Sequence, residues 1–409
     1  MTTTDSEYPL AGVRVLDFSR VLAGPFAGRM LADLGADVVK VEPPDGDVTR
    51  LWGRSIANLP GYYHQQNAGK RNLCIDLRAP GASALVLELA TKADILIENY
   101  RPHVMHKMGI DYPVLSAANP ALIMLSITGF GQSGPEASRP AYAPVVHAEA
   151  GLMKRAAERF GVVPHDLPLS VADTNASLHG LVGILSALHL RSRTGRGQHI
   201  DMAMIDATLA TDDHMHYDLE AAAATGPLPN EVWDTPAGPV LLTADVRYLW
   251  QLLSEHCGVT VELPTDADFA RKIAARHDAI AAYLAGLPDA AAFESLMRTL
   301  NVAWGLVRDA ATLREQPTVA ARGAIVDIDD RAGGTRPITQ SPYRFSDARS
   351  GVRGPAPHRG EHNETVITDW LGAAPETVRE LVAQGVLHAE PDLNPADATG
   401  GVRSSEEPS

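Results

Sequence analysis

Short apolar runs alternate with stretches of helical spacing along the first third of the chain. Short apolar or β-branched runs are typical of buried strands, and apolar residues at helical spacing are typical of helices packed on a core. The pattern predicts strands at Val13–Phe18, Asp37–Glu42, Asp94–Glu98 and Leu122–Thr128, and helices at Gly24–Gly35 and Leu85–Ala93. Strands separated by helices form parallel β/α/β units, so we expect an α/β fold with a doubly wound sheet.

The rest of the chain predicts a long helix, a mainly helical middle and a return to strands. From about Thr174 to Arg193, apolar residues recur at helical spacing, and Gly195 follows the basic end. The alanine-rich stretch from Glu231 to about Gln316 is expected to be mainly helical. The other predicted elements are strands at Gln198–Met204, Ala324–Asp330 and Tyr343–Ser346, and helices at Asp206–Ala224, Thr365–Gly372 and Pro375–Gln384.

Length and chain breaks predict two packed domains. A chain of 409 residues exceeds the usual length of one domain, and the Pro and Gly residues of Gly226–Pro229 favour a boundary. We therefore assign residues 1–225 to the first part of a large domain, 226–325 to a small domain and 326–388 to a return into the large domain. The polar, Pro/Gly/Ser-rich residues 389–409 predict a disordered tail.

Composition argues against several classes of protein. Hydrophobic residues make up 45% and charged residues 21%, which is ordinary globular composition and argues against a fibrous or largely disordered chain. The net charge of −15 and the 5% of aromatic residues argue against nucleic acid and anionic membranes as partners. Because no apolar run reaches transmembrane length and the first residues lack signal-peptide features, we expect a cytoplasmic protein. Cys74 and Cys257 lie too far apart for a disulfide framework.

A glycine-rich segment resembles a dinucleotide-binding fingerprint. Gly129–Gly134 follows a predicted strand with the spacing G-x-G-x-x-G. A fingerprint of this kind needs a helix that starts inside the loop, so that its amides face the pyrophosphate. Pro135, Pro140 and Pro144 follow instead, and proline removes amide donors and disfavours helix in the residue before it. We therefore interpret the segment as a turn and not as a nucleotide site.

Two groups of acids and histidines offer poor metal sites. One group lies between Asp212 and Asp218, where His214 and His216 are two residues apart and would point to different sides of a helix. The other consists of His358, Glu361 and His362 in a Pro/Gly-rich connector. We interpret the first as a solvated helix face and predict no metal at either.

Asp173 stands just before the long apolar helix. Aspartate is a preferred N-cap residue, so a capping role is the plain interpretation. The same position would also keep the carboxylate ionised through the helix dipole, as a nucleophile requires. From the residues alone both roles stay open.

Several phrases in order carry a resemblance to a known family. The chain resembles the class III CoA-transferases, which include formyl-CoA and carnitine CoA-transferases and the related α-methylacyl-CoA racemases. The resemblance runs from Pro9 to about His388. The phrases are Pro9–Phe18, Leu22–Pro25, Leu34–Glu42, Asn67–Leu77, Ala93–Gly109, Gly129–Pro135 and Ala172–Met204.

The resemblance implies a fold, an assembly and a reaction. It implies a Rossmann-like large domain built from both chain ends, a smaller α+β domain, and an interlocked homodimer. An aspartate at the position of Asp173 is the family's acyl-accepting nucleophile. The implied reaction moves CoA from an acyl-CoA to a carboxylic acid through covalent aspartyl intermediates, with CoA as substrate and no tightly bound cofactor.

The resemblance also implies where CoA binds. We expect the phosphates of CoA to contact basic side chains that are concentrated between residues 70 and 107. These are Lys70, Arg71, Arg78, Arg101 and Lys107. Lys107 stands where an arginine is expected, and Pro43 stands where some members have a CoA-binding arginine. The positions that match the family's CoA contacts are Leu22, Ala23, Ile75, Asp76, Leu77, Arg78, Asn99, Tyr100, Arg101 and Lys107, and Tyr142 is added to this site.

Two alternatives remain from the sequence. Related racemases carry a His-Asp pair where this chain has Tyr142 and Ala143, and a neutral tyrosine is a poor base, which favours transfer over racemisation. His147 follows five residues later and is left open as a group that reaches the site. The glycine-rich loop expected of transferases is missing between Gly226 and Gly258, where Pro236–Gly238 replaces an Asp-Gly turn; this favours a non-catalytic acyl-CoA-binding protein.

Overall fold

The computed structural model describes residues 7–221, 230–263 and 268–390. The predicted boundary at 226–229 lies outside these ranges, as do the end of the helix expected to reach Ala224 and almost all of the predicted tail. The strands are β1 Arg14–Asp17, β2 Asp37–Glu42, β3 Ser55–Ile56, β4 Leu59–Pro60, β5 Arg71–Cys74, β6 Ile95–Glu98, β7 Ile123–Thr128, β8 His199–Ala203, β9 Glu231–Thr235, β10 Gly238–Leu242, β11 Trp304–Leu306, β12 Ile325–Asp329 and β13 Thr335–Thr339.

Helices follow or cover most of these strands. They are α1 Ala23–Asp33, α2 Gly61–Asn67, α3 Ala82–Ala90, α4 Val104–Lys107, α5 Tyr112–Ala118, α6 Ala143–Glu149, α7 Leu152–Phe160, α8 Val171–Thr194, α9 Met204–Ala210, α10 Met215–Leu219, α11 Val246–Cys257, α12 Phe269–Ala285, α13 Ala290–Leu300, α14 Pro317–Ala321, α15 Asn363–Leu371 and α16 Pro375–Ala383. Short 3₁₀ helices occupy Val48–Leu51 and Ala310–Glu315. Among the described residues, no helix combines the length and the apolar character needed to cross a bilayer.

The central sheet is parallel and follows the order β5-β2-β1-β6-β7-β8. The chain builds outward from β1 in one direction through β2 and β5, then returns beside β1 and builds the other way. The order therefore reverses between β1 and β6, as in doubly wound nucleotide-binding folds, where ligands bind outside the carboxyl ends of the strands at the reversal. The predicted α/β fold with a parallel sheet is confirmed.

Apolar side chains fill both faces of this sheet. On one face α1 and α8 pack on Val15, Ile97 and Leu125, and on the other α3 and α15 pack on Leu16 and neighbouring residues. The close approach of α8 to β7 depends on Gly180, because a Cβ there would lie 2.8 Å from Leu125 Cδ2. Strands buried on both faces read as apolar runs, which is why the sequence revealed most of them.

The C-terminal segment covers the outer edge of β5. The backbone amide of Asn72 donates to His362 Nδ1 at 3.2 Å, and the backbone amide of His362 donates to the backbone carbonyl of Asn72 at 3.0 Å. The Cys74 amide donates to Asn363 Oδ1 at 3.0 Å, and the His388 amide donates to the Cys74 carbonyl at 3.1 Å. The unpaired groups of an edge strand are thus satisfied by residues far along the chain.

Three of the elements predicted from the sequence differ in the structure. The long helix begins at Val171, three residues before the predicted start, so Asp173 lies inside its first turn. Strand β5 was not predicted, because Arg71 and Asn72 interrupt its apolar character and find partners only in the fold. Tyr343–Ser346 is not a strand, and β12 pairs instead with β13.

Spatial contacts divide the chain into two compact units, one formed by residues up to Asp213 together with those from Arg322, and the other by His214–Ala321. In the second unit β11, β10 and β9 form an antiparallel sheet, and α11 to α13 bury Trp233, Leu249 and Phe293 against it. The prediction of a mainly helical stretch was therefore incomplete. The stretch predicted as one helix from Asp206 is interrupted, since α9 ends at Ala210 and α10 begins at Met215. The assignment of functional domains stays a prediction.

Candidate active site

A cavity of about 290 Å³ opens at the carboxyl ends of the parallel strands, where the strand order reverses. Segments following β1, β6, β7 and β8 form its walls, and α8 contributes a carboxylate. The lining includes Arg20, Val21, Ala23, Val48, Asn99, Tyr100, Arg101, Thr128, Gly129, Arg139, Tyr142, Asp173 and Met204.

Asp173 is the carboxylate in this cavity. It is the third residue of α8, whose N-cap is Ser170, and it is half-buried. Burial raises the pKa of Asp173 to about 6, although nearby His147 and a hydrogen bond from the Ala143 amide act in the opposite direction. The interpretation of Asp173 as the cap residue is therefore corrected, because Ser170 is the N-cap. Desolvation outweighs the partners that favour the charged carboxylate.

His147 supports the start of α8 and is absent from the cavity lining. Its ring is fully buried, with Nδ1 2.8 Å from Asp166 Oδ1. The Ala172 amide donates to His147 Nε2 at 3.2 Å. Nε2 thus contacts the backbone of α8, and Nδ1 faces the Asp166 carboxylate. Both ring nitrogens thus have partners. His147 binds the backbone of Ala172, the residue before Asp173, and not the Asp173 carboxylate that lines the cavity.

The side chain of Asn99 ties two loops of the cavity together. Asn99 accepts a hydrogen bond from the Arg20 amide at 2.7 Å and donates one to the Arg20 carbonyl at 2.8 Å. The next residue, Val21, has a φ of +67°, which is a strained conformation for a β-branched side chain. Its amide donates to Asp47 Oδ2 at 3.1 Å, and Lys40 Nζ lies 3.1 Å from the same oxygen. These buried contacts hold the loop in place.

A buried ion pair lies beneath the same loop. Lys70 Nζ lies 2.7 Å from Asp17 Oδ2 and 2.9 Å from both Pro25 O and Asn67 Oδ1. Burial alone would raise the pKa of Asp17, but the Lys70 and Lys40 ammonium groups outweigh it and hold the pKa below its usual value. Lys70 is therefore a structural cation, and its predicted contact with CoA phosphate is wrong.

Arg71 has a structural role as well. It donates to Asp37 Oδ1 at 2.9 Å and to Asp369 Oδ2 at 2.8 Å. Arg71 thus joins β5 to β2 and to α15, and its contact with a CoA phosphate stays a prediction.

The structure brings together some of the predicted site residues. Asp173 shares the cavity with five predicted CoA contacts, which are Ala23, Asn99, Tyr100, Arg101 and Tyr142. Sequence reasoning missed Arg20 and Arg139 in the same lining. Arg20 could have been found, because it follows the first predicted strand on the side where ligands bind in a doubly wound sheet.

Other predicted residues lie away from this lining. Leu22 and Ile75 are buried, and Asp76 pairs with exposed Arg78 at 2.9 Å. Leu77 packs partly against the core, and exposed Lys107 ends α4. Contacts of these six positions with CoA stay predictions.

The glycine-rich segment Gly129–Gly134 adopts turns, and the next helix begins only at Ala143. The Gln132 amide donates to Asp201 Oδ2 at 3.0 Å, so the loop is bonded to β8. The interpretation that no helix starts within this segment is confirmed. Within residues 7–221, 230–263 and 268–390, no three His, Cys, Asp or Glu side chains are grouped to hold a metal ion.

The sequence matches a known family over most of its length. The model of CoA-transferase family III matches residues 10–363. The chain belongs to CoA-transferase family III. A succinate–glutarate CoA-transferase from Agrobacterium fabrum is 34% identical over 382 residues, which cover 88% of this chain and 95% of that protein. An acetyl-CoA:oxalate CoA-transferase from Acetobacter aceti is 33% identical over 390 residues, which cover 90% of this chain and 97% of that protein.

Solved structures agree with this membership. The crystal structure of a CAIB/BAIF family protein from Brucella suis superposes with a TM-score of 0.74 at 32% identity, covering 89% of this chain and 100% of that one. The family III resemblance stated from sequence motifs is confirmed. This chain is accordingly an enzyme that transfers CoA, which sets aside the non-catalytic alternative.

Proposed function

We propose that this family III enzyme moves CoA between an acyl-CoA thioester and a carboxylic acid, with Asp173 as the covalent nucleophile. The observation that supports the proposal is the half-buried Asp173 carboxylate in the cavity where the strand order reverses. The two relatives described above are named for succinate and glutarate and for acetyl-CoA and oxalate, which supports a small carboxylic acid as acceptor.

The proposed reaction begins with attack of Asp173 on the thioester carbonyl. A C–O bond forms, the C–S bond breaks, and the products are a mixed anhydride and a CoA thiolate. The thiolate then attacks the Asp173 carbonyl, which releases the first acid as carboxylate and leaves an aspartyl-CoA thioester. The acceptor carboxylate attacks the aspartyl-CoA carbonyl, which breaks the C–S bond, expels the CoA thiolate and forms a second mixed anhydride. The thiolate finally attacks the acceptor's acyl carbon in that anhydride, which breaks the C–O bond, releases the new acyl-CoA and regenerates the Asp173 carboxylate.

The test is an exchange assay combined with chemical trapping. The protein is incubated with a panel of acyl-CoA donors and acids, quenched with hydroxylamine, and digested for mass spectrometry. We expect a hydroxamate on the peptide that contains Asp173 and CoA on the acceptor acid. Exchange without any modification of Asp173 would contradict the covalent mechanism. Washout of an α-proton in D₂O without CoA exchange would indicate a racemase.

The pKa of Asp173 predicts a pH dependence. Only the ionised carboxylate attacks, and burial raises its pKa to about 6. The ionised fraction, and with it kcat/KM, should be level above about pH 7 and fall about tenfold per pH unit well below 6. The measurement is a kcat/KM profile, with circular dichroism at each pH to show that the fold persists. A profile that stays level to about pH 4.5 would contradict the raised pKa.

Charge reversal at three of the predicted CoA contacts should weaken CoA binding. Arg101 lines the cavity, and exposed Arg78 and Lys107 match CoA positions of the family. Losing a charge-assisted phosphate contact should weaken binding about 10-fold or more, less at high salt, because ions screen the pairing. CoA titrations of R101E, R78E and K107E test this. The control is R193E, since Arg193 is exposed at the far end of α8. Unchanged affinity in all three variants would place the phosphates elsewhere.

We also propose a homodimer in the cytoplasm. An exposed apolar stripe on α8 supports a partner surface: Leu178, Val182 and Leu185 are 46%, 61% and 41% exposed and lie at helical spacing. The resemblance adds that the two chains interlock, so the dimer should persist on dilution. Sedimentation at low concentration tests this, and a folded monomer there would contradict it.

A further inference from the structure

A second cavity of about 470 Å³ is lined by residues that follow the 3₁₀ helix of the active-site cavity. Its lining includes Trp52, Arg54, Tyr62 and Arg336. The 3₁₀ helix Val48–Leu51 joins the two, because Val48 lines the first cavity and Trp52 directly follows the helix. A 3₁₀ helix rises about 2 Å per residue, so Val48 and Trp52 are roughly 8 Å apart along this segment. This spacing is comparable to the length of a small molecule with two functional ends.

Two guanidinium groups converge on this second cavity. Arg336, from β13, donates to the Leu59 carbonyl at 2.8 Å and lies against Gly61, where a Cβ would be only 3.1 Å from its Nη2. Arg54 opens the hairpin that the Gly61 amide closes, donating to the Arg54 carbonyl at 3.2 Å. The Arg54 guanidinium makes no ion pair with any residue in the described part of the chain.

Like charge makes the site receptive to an anion. Burial lowers the pKa of Arg336, and neighbouring Arg54 lowers it further while Asp330 opposes them. Asp330 is already committed to its own turn, where it accepts from the amides of Ala332 at 2.8 Å and Gly334 at 2.9 Å. A carboxylate between the arginines would relieve their repulsion and match the planar fork of a guanidinium.

The positive field of this region extends inward. His64 on α2 is fully buried, and neither of its ring nitrogens has a hydrogen-bond partner among the described residues. Burial lowers the pKa of His64 to about 4, with Arg336 the largest of the charges acting in the same direction. A neutral histidine adds no cation of its own, and Arg29 and Arg331 act on it together with Arg336.

Tyr62 connects the arginine pair to the reacting carboxylate. Its ring meets Trp52 edge-on, with centroids 5.3 Å apart, and forms an apolar wall of the second cavity. Burial raises the pKa of Tyr62 to about 12, and the Asp173 and Asp47 charges add to the shift. Tyr62 therefore lies within reach of the Asp173 charge and lines the cavity that holds both arginines, and this aromatic wall suits a short hydrocarbon chain.

We propose that Arg54 and Arg336 bind the distal carboxylate of a dicarboxylic acid whose other carboxyl group reacts at Asp173. This inference rests on the proposed function and names the substrate class for it. A CoA phosphate is the other anion that the arginines could take. The dicarboxylate is favoured because the apolar Trp52–Tyr62 wall beside the arginines suits a hydrocarbon chain, which a phosphate group lacks.

Calorimetric titration tests the inference without turnover. The probes are glutarate and valerate, which share five carbons but differ in the distal carboxylate, together with free CoA. The full-length protein should bind glutarate more tightly than valerate. R54Q and R336Q should each lose about 10-fold or more in glutarate affinity, the range of a charge-assisted hydrogen bond, and keep their valerate affinity. R193Q, on exposed Arg193, is the matched control.

Each further outcome separates the possibilities. R336Q could fail to fold, because Arg336 also donates to the Leu59 carbonyl. In that case R54Q and R336K, which keeps the positive charge, still test the site. Equal binding of glutarate and valerate, or glutarate affinity unchanged in R54Q, would overturn the inference. A loss of CoA affinity in place of glutarate affinity would overturn it in favour of a phosphate site. Arginine-dependent glutarate binding in a protein without CoA exchange would support this site and contradict the proposed function.

Discussion

Replacing Asp173 by asparagine is expected to lower CoA transfer by about four to six orders of magnitude, because the amide cannot form the anhydride. The side chain keeps its size, so the fold and the affinity for CoA should change little. Steady-state exchange, a CoA titration and the melting temperature measure the three effects separately. Only the loss of a nucleophile removes chemistry and leaves binding and stability intact.

The matched control is Asp206→Asn. Asp206 also lies in the first turn of a helix, α9, but it is exposed and absent from the cavity lining. D206N should show the effect of losing a negative charge at a helix start. We expect the free energy of unfolding to fall by about 0.3–1 kcal/mol and the activity to stay unchanged. If D173N behaves like D206N, with near-normal exchange and a slightly lower melting temperature, Asp173 is a helix-stabilising acid and not the nucleophile.

Replacing Lys70 by methionine is expected to destabilise the fold by about 3–5 kcal/mol, because the buried Asp17 charge is left without its partner. Lys70 and Asp17 are both fully buried and 2.7 Å apart. The loop that follows Asp17 carries Arg20 and Val21 into the cavity, so activity should fall with stability. Urea unfolding followed by circular dichroism measures the effect.

Two further variants make this test specific. K92M removes an exposed lysine and should change the unfolding free energy by less than about 0.5 kcal/mol. The double variant D17L/K70M removes both buried charges and should recover much of the loss, since replacing a buried pair with apolar residues is often close to neutral. A K70M protein as stable as the wild type would contradict the assigned structural role.

The sequence was informative where burial acts on both faces of a strand. Strand β7, Ile123–Thr128, is buried throughout, and its apolar run revealed it directly. Strand β5 escaped because its polar residues are satisfied by the fold: Arg71 by Asp37 and Asp369, and Asn72 by Glu42. Local pattern cannot distinguish a polar residue that finds distant partners from one that faces water.

The same distinction limited the prediction of the site. The resemblance indicated Asp173, but the rise in its pKa depends on desolvation by neighbouring elements, which no local pattern contains. The sequence indicated Lys70 and Arg71 as phosphate ligands. Only the fold shows that Lys70 pairs with Asp17 and Arg71 with Asp37. The second cavity was invisible for a related reason, because Arg54 and Arg336 are brought together by strands far apart in the chain.

The cover over the outer edge of β5 sets the timing of folding during synthesis. Asn72 receives its partner His362 only after 290 further residues have been made. At about 5–20 residues per second, that edge of the nascent sheet waits on the order of 15–60 s with unpaired backbone groups. Throughout this interval the chain offers a strand edge to other nascent chains, which is the situation that chaperones restrain. The last quarter of the protein therefore completes the sheet and ends its exposure to aggregation.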